Sequence, residues 1–171
     1  MYETITQWGI PDVEALDKNN IQFIFDSNKI PNINKDDLNL YCYSDSAKFC
    51  LYDYKKENIV FSMEFFEACH KGLPQLGDPL NCVRLELLNV HNPELRKKGI
   101  ASYYLKKLQE YCINKKFLYI KLIPDPDFDM FNSQSKNNAL SLPELKSFYK
   151  SISTNEMPII FLNELYTIND I

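Results

Sequence analysis

The stretch from Cys82 to Ile123 constrains this chain more than any other part of it. Cys82 to Val90 is rich in branched apolar residues and reads as a strand. From Gly99 to Asn114, Ile100, Ala101, Tyr104, Leu105, Leu108, Tyr111 and Cys112 recur at intervals of three and four. That is the period of a helix with one buried face, and it leaves Lys106 and Lys107 toward water. Phe117 to Ile123 is apolar and aromatic but for Lys121, the pattern of a buried strand. A strand, a crossover helix and a second strand close as a right-handed βαβ unit, so the two strands are expected to run parallel.

Upstream, Lys48 to Tyr54 and Asn58 to Ala68 are dense in aromatic and branched residues and are separated by Lys55-Lys56-Glu57, which predicts a hairpin. With Cys82 to Val90 as a third strand they form an antiparallel meander. Ile21 to Phe25 predicts a further strand, and Pro11 to Asn19 a short helix with Val13 and Leu16 on one face. Asn28 to Asp37 and His70 to Asn81 read as connections. Past Pro124 an acidic, polar loop runs to Asn138. Ser141 and Glu144 then stand at capping-box spacing with Pro143 between them, opening a second helix that carries Leu145, Phe148, Tyr149 and Ile152 on one face. Pro158 to Leu162 predicts a last strand. No repeat, low-complexity tract or linker interrupts the pattern. The expected fold is one α/β domain over residues 1–171: a mixed sheet with an antiparallel meander, a βαβ unit, and a C-terminal helix and strand.

Several function classes are excluded by composition. With 45% hydrophobic and 25% charged residues, a packed core is available to the 171-residue chain. Nineteen basic against 23 acidic residues, a net charge of −4, argue against a dedicated nucleic-acid binder. No apolar run is long enough to span a bilayer, and Met1 to Thr4 do not start a secretory signal, so the expected location is cytoplasmic. Cys42, Cys50, Cys69, Cys82 and Cys112 form no Cys-x-x-Cys pair and have only His70 and His91 beside them, so no zinc site is expected and the thiols read as reduced. Cys69 and His70, as neighbours on a strand, would point to opposite faces and not act as nucleophile and base. Four glycines cannot supply a G-x-G-x-x-G fingerprint. Gly72 and Gly77 have the spacing of a phosphate loop but lead into Asp78-Pro79, where that loop needs Lys and Ser or Thr. Asp125, Asp127 and Asp129 alternate as in a calcium loop, yet Met130 and Lys136 stand where it needs Gly and Glu, so no metal is expected.

Chemistry concentrates where the first strand hands over to the helix. The first backbone N–H groups of a helix have no partner within it, and the helix dipole makes that end an anion site. Gly99 lets the backbone approach such an anion, and Arg96, Lys97 and Lys98 surround the same place. Between Glu94 and Lys121 eight basic residues face only two acidic ones, while the rest of the chain is acidic.

These residues carry a family resemblance. Arg96-x-x-Gly99-x-Ala101, opening an amphipathic helix, resembles the acetyl-CoA pyrophosphate loop of the GNAT superfamily of N-acetyltransferases, Q/R-x-x-G-x-G/A. Leu85 to Val90 is similar to the strand that precedes the loop in amine-acetylating members. Leu145 to Lys150 resembles the helix whose tyrosine faces the cofactor sulfur. The resemblance covers residues 81–152. Three departures accompany it: one residue more than usual separates Val90 from Arg96, Leu142 stands where the family has Asn, and Ser153-Thr154 replaces Gly-Phe.

The resemblance implies a GNAT-like fold, acetyl-CoA as acyl donor and direct attack by an amine. It implies that Leu88, Asn89 and Val90 present the strand edge to the pantetheine arm. Arg96, Lys97, Lys98, Gly99, Ile100, Ala101 and Ser102 would hold the pyrophosphate. Tyr149 would protonate the departing thiolate, and Glu86 is the candidate proton acceptor. Strand alternation puts Arg84 on the same face as Glu86, so a simple ion pair is the rival account of that carboxylate. The expected partners are acetyl-CoA and an amine-bearing small molecule or peptide, drawn in by the acidic loop after Pro124. No nucleic acid or membrane partner is expected, and a homodimer is left open. The alternative is a GNAT-fold module that binds acyl-CoA without turnover.

Overall fold

Alternation along two strands builds the core. In the computed structural model, which describes residues 1–31, 38–69, 81–126 and 136–162, β3 (Ser46–Asp53) and β4 (Asn58–Cys69) turn Ala47, Phe49, Leu51, Phe61, Met63 and Phe65 to one face. There they meet Tyr104, Leu105 and Leu108 of the long helix α2 (Ile100–Asn114), with Tyr104 stacked on Phe61 at 4.6 Å. Each fully buried Phe, Leu or Met side chain among them stabilises the fold by about 1.5–3 kcal/mol. On the other face Ile24, Ile30, Leu38, Leu40, Cys50 and Tyr52 make a smaller cluster.

Among the described residues seven strands form one mixed sheet. β3, β4 and β5 (Asn81–Val90) are an antiparallel meander. β1 (Ile21–Ile24) and the two-residue β2 (Tyr41–Cys42) both pair with β3. α2 crosses to β6 (Tyr119–Leu122), parallel to β5, and α3 (Leu142–Ile152) leads to β7 (Ile159–Phe161), parallel to β6. The α/β architecture is the one the sequence predicts, with the βαβ unit parallel.

The N-terminal prediction needs correction. Pro11 to Asn19 is not a helix; it is a turn followed by the 3-10 turn Lys18–Asn20, which Asp17 caps. The helix lies earlier, as α1 (Tyr2–Gln7), and stops before Gly9, whose φ is +72°. Tertiary burial decides this. Ile5 and Trp8 enter the core, and the hydroxyls of Tyr103 and Tyr104 donate to the carbonyls of Trp8 and Gly9, tying that segment to α2. Gly72, Gly77, His70, Asp127 and Asp129 lie outside the described residues.

Two irregularities in β5 prepare the site. It pairs with β6 only over Cys82–Arg84, opposite Tyr119–Lys121, so from Leu85 to Val90 its β6 side has no strand neighbour among the described residues. Its register with β4 also slips: Leu87 stands opposite Glu64 and Leu85 opposite Phe65, leaving Glu86 as the extra residue of a bulge. A bulge bends and twists its strand, and β6 itself ends at Leu122, one residue past the paired stretch.

Candidate functional site at the split in the sheet

A cavity of about 710 Å³ occupies the split between β5 and β6, closed by the turn before α2 and by α3. Its walls include Glu86, Leu88, Asn89 and Val90 of β5, then Arg96, Lys97, Gly99, Ile100, Ala101 and Ser102, and Tyr149 of α3. Lys98 is not among them; it borders a separate hollow with residues Asp12 to Ala15. Asp125 lines the cavity, whereas the other two aspartates of its loop lie outside the described residues.

The turn is built for backbone display. After a 3-10 turn at Pro93–Leu95, capped by Asn92, both Lys97 (φ +62°) and Gly99 (φ +91°) take the left-handed conformation. For lysine that conformation costs about 1 kcal/mol or more, a cost typical of ligand-binding turns. Gly99 is the N-cap of α2 and offers no side chain to cap it. Tyr103 N–H is bonded to the Gly99 carbonyl at 2.9 Å, so the amides of Ile100, Ala101 and Ser102, one turn earlier, have no helical acceptor. They stand at the positive end of a 15-residue helix, at the cavity wall. A Cβ added at Gly99 would meet nothing within 4 Å, so the space in front of the turn is open.

Arg96 acts here as a brace. Its Nε donates to the Val90 carbonyl at 2.9 Å and its Nη1 to the Asn137 carbonyl at 2.7 Å, while burial lowers its pKa. Asn138 Nδ2 donates to the Pro93 carbonyl at 3.2 Å, a second tie between the same two segments.

Glu86 combines the two sequence accounts: it is ion-paired with Arg84, and both line the cavity. About a third of its side chain is exposed (34%). Burial pushes its carboxyl pKa up, Arg84 pulls it down and Glu64 pushes it up again, with a net rise. Tyr149 is buried against Phe148 and Phe161, with ring centroids at 5.2 and 6.3 Å. Its hydroxyl has no hydrogen-bond partner among the described residues, and burial raises its pKa, so it keeps its proton at neutral pH. The helix that carries it is held at both ends. Glu144 Oε2 accepts from the Ser141 N–H and hydroxyl at 2.8 and 2.7 Å. Buried Gln109 of α2 donates to the carbonyls of Ile152 and Met157 at 3.0 and 3.2 Å.

Other polar groups around β5 escaped the sequence analysis. His91 Nε2 lies 2.8 Å from Ser62 Oγ, and burial, with Arg96 beside it, pushes the imidazole pKa down to about 4. Glu64 joins Tyr41 and Lys48. Lys48, Ser62 and Glu64 show in the sequence only as polar residues inside otherwise apolar strands, and His91, just past β5, carries no pattern of its own. Among the described residues no three His, Cys, Asp or Glu side chains gather to hold a metal ion.

No family model matches the chain, and no curated protein matches it. Among solved structures it is similar to an aminoglycoside acetyltransferase from an uncultured soil metagenomic sample, in complex with sisomicin. Identity is 14%, 66% of this chain and 82% of that chain are covered, and the TM-score is 0.41.

Proposed function

We propose that the chain is an N-acetyltransferase that uses acetyl-CoA as acyl donor and an amine-bearing small molecule or peptide as acceptor, working in the cytoplasm. One observation carries the proposal: the stretch of β5 that has no strand neighbour among the described residues and the open N-terminus of α2 belong to one cavity, which also holds Glu86 and Tyr149. An extended arm with amide groups suits a strand edge beside which no strand runs, and a diphosphate suits a helix N-terminus.

Acetyl-CoA supplies an acyl group activated as a thioester. The peptide groups of Leu88 to Val90, apart from the Val90 carbonyl that Arg96 holds, bind the pantetheine arm by strand-like hydrogen bonds, and one N–H near Val90 stabilises negative charge on the acyl oxygen. The amides of Ile100 to Ser102, with Lys97 beside them, hold the diphosphate. Freeing an alkylammonium of its proton at neutral pH costs roughly 4–5 kcal/mol, so a proton acceptor is needed, and Glu86 fills that role. Its raised pKa makes it a better base than an ordinary surface carboxylate. Tyr149 gives a proton to the leaving sulfur. Asp125 at the wall favours a cationic acceptor.

The Arg84–Glu86 pair gives weight to the alternative, a module that binds acyl-CoA without turnover. Two measurements decide. Acetyl-CoA and CoA should raise the melting temperature, and thiol release should then appear with at least one member of a panel of polyamines, aminoglycosides, amino acids and peptides. Stabilisation without thiol release selects the binding module; no stabilisation by either ligand overturns both.

A further inference from the structure

The proposed base raises a physical question: an arginine partner holds a carboxylate in its ionised form and weakens it as a base. The answer lies one strand away, on the sheet face turned from the helices. Register places Tyr41 opposite Lys48, Lys48 opposite Glu64, and Glu64 opposite Leu87, beside the bulged Glu86. Four strands thus contribute to one transverse row that ends at the cavity.

The row is tied together at its centre. Tyr41 donates its hydroxyl to Glu64 Oε1 at 2.9 Å, and Lys48 Nζ lies 3.2 Å from Glu64 Oε2. Lys48 is only 7% exposed. A lysine buried to that degree in a sheet is costly to fold, and an apolar residue would serve packing as well or better. Both oxygens of Glu64 are engaged, so its charge is fixed in place. Burial first, then the hydrogen bond and charge of Glu64 and the charge of Glu86, raise the Tyr41 pKa, so that hydroxyl lies within the influence of both carboxylates. Among the described residues, the other charged and titratable groups near the row are Arg84 on β5, which spans toward Phe66, Tyr43 just beyond β2, and Lys121 of β6 opposite Arg84, while Lys97, Asp125, Lys136 and Glu144 line the cavity that Glu86 shares.

We propose that Glu64, locked by Tyr41 and Lys48, is a positioning residue for Glu86: its fixed negative charge offsets Arg84 and turns the Glu86 carboxylate toward the cleft as a proton acceptor. The inference rests on the role proposed above for Glu86. Two like charges on neighbouring strands repel, which favours the protonated form of the more mobile one and drives it away from the fixed one. Arg84 keeps Glu86 from neutralising altogether. Glu86 is therefore balanced between a cation on its own strand and an anion on the next.

The test is a carbon-13 titration of the full chain labelled in glutamate carboxyls, with the Glu86 resonance identified by its loss in Glu86→Gln. In Glu64→Gln the Glu86 midpoint should fall by about one pH unit, a tenfold loss of proton affinity, and in Arg84→Gln it should rise. The acid limb of kcat/KM, measured with acetyl-CoA and the amine selected by the panel, should move in the same directions. Should Glu64→Gln fail to fold because Lys48 loses its partner, the pair Lys48→Met with Glu64→Gln serves instead. A Glu86 midpoint that stays put in a folded Glu64 variant overturns the inference. Melting shifts with acetyl-CoA are read separately, so failure of the acyltransferase proposal and failure of the Glu64 inference are distinguishable.

Discussion

Arg96 Nε stands 2.9 Å from the carbonyl oxygen of Val90, closing the turn that joins the end of β5 to the helix N-terminus. This cation, expected to meet phosphate, holds main-chain oxygens of Val90 and Asn137, and so helps to fix the geometry in which the amides of α2 are presented. Lysine keeps the charge but lacks the fork that reaches Val90 and Asn137 together. Arg96→Lys should therefore lower stability in urea by about 1–2 kcal/mol and weaken CoA binding about tenfold. Equal stability and affinity in the two proteins would refute the bracing role.

Gly99 and Lys98 make a contrasting pair. Gly99→Ala forces a β-carbon into a left-handed position and into the open space before the turn, so stability should fall by about 1–2 kcal/mol. Loss of CoA affinity, read by calorimetry, should exceed that strain because the added methyl faces the anion's approach. Lys98 borders the Asp12–Ala15 loop, and Lys98→Ala should leave affinity within about twofold. A larger effect at Lys98 than at Gly99 would put the anion on side chains instead of backbone.

Tyr149→Phe isolates one oxygen atom. The ring contacts with Phe148 and Phe161 remain, and no hydrogen bond to a described residue is lost, so thermal melting should change by no more than about 0.5 kcal/mol. Thiol release should drop by about 100-fold or more if the hydroxyl protonates the sulfur. An unchanged turnover number would remove Tyr149 from the mechanism.

His91 makes a pH-dependent contribution to stability. Its folded midpoint of about 4 lies below the ordinary 6.5, so the unfolded chain takes up the proton first. The contribution is fully present above pH 6.5 and disappears as pH falls toward 4. It is worth up to about 3 kcal/mol. In urea titrations from pH 7.5 down to 4.5, the advantage of the parent chain over His91→Gln should shrink steadily. A gap that does not vary with pH would mean that His91 acts only through its bond to Ser62.

The legible parts of the chain are those where one period runs long enough to be seen. α2 keeps its apolar stripe from Ile100 to Cys112, and β3 and β4 alternate because one of their faces is buried against it. α3 announced itself through Ser141, Pro143 and Glu144, which act locally. α1 did not, because six residues hold no period, and its formation depends on where Ile5 and Trp8 find room. Within the site, Gly99 was readable because a left-handed N-cap selects glycine. The bulge at Glu86 was not, since it arises from a register slip against Glu64 more than twenty residues earlier. Nor was the tie between Tyr41, Lys48 and Glu64, which exists only once three strands are paired.

The stretch of β5 that lacks a strand neighbour among the described residues has an evolutionary corollary. A molecule gripped by carbonyl oxygens and amide hydrogens places its demands on the path of the chain and hardly at all on side-chain identity, proline excepted. Mutations can then accumulate along such an edge without harming the grip, provided that the kink and the gap persist.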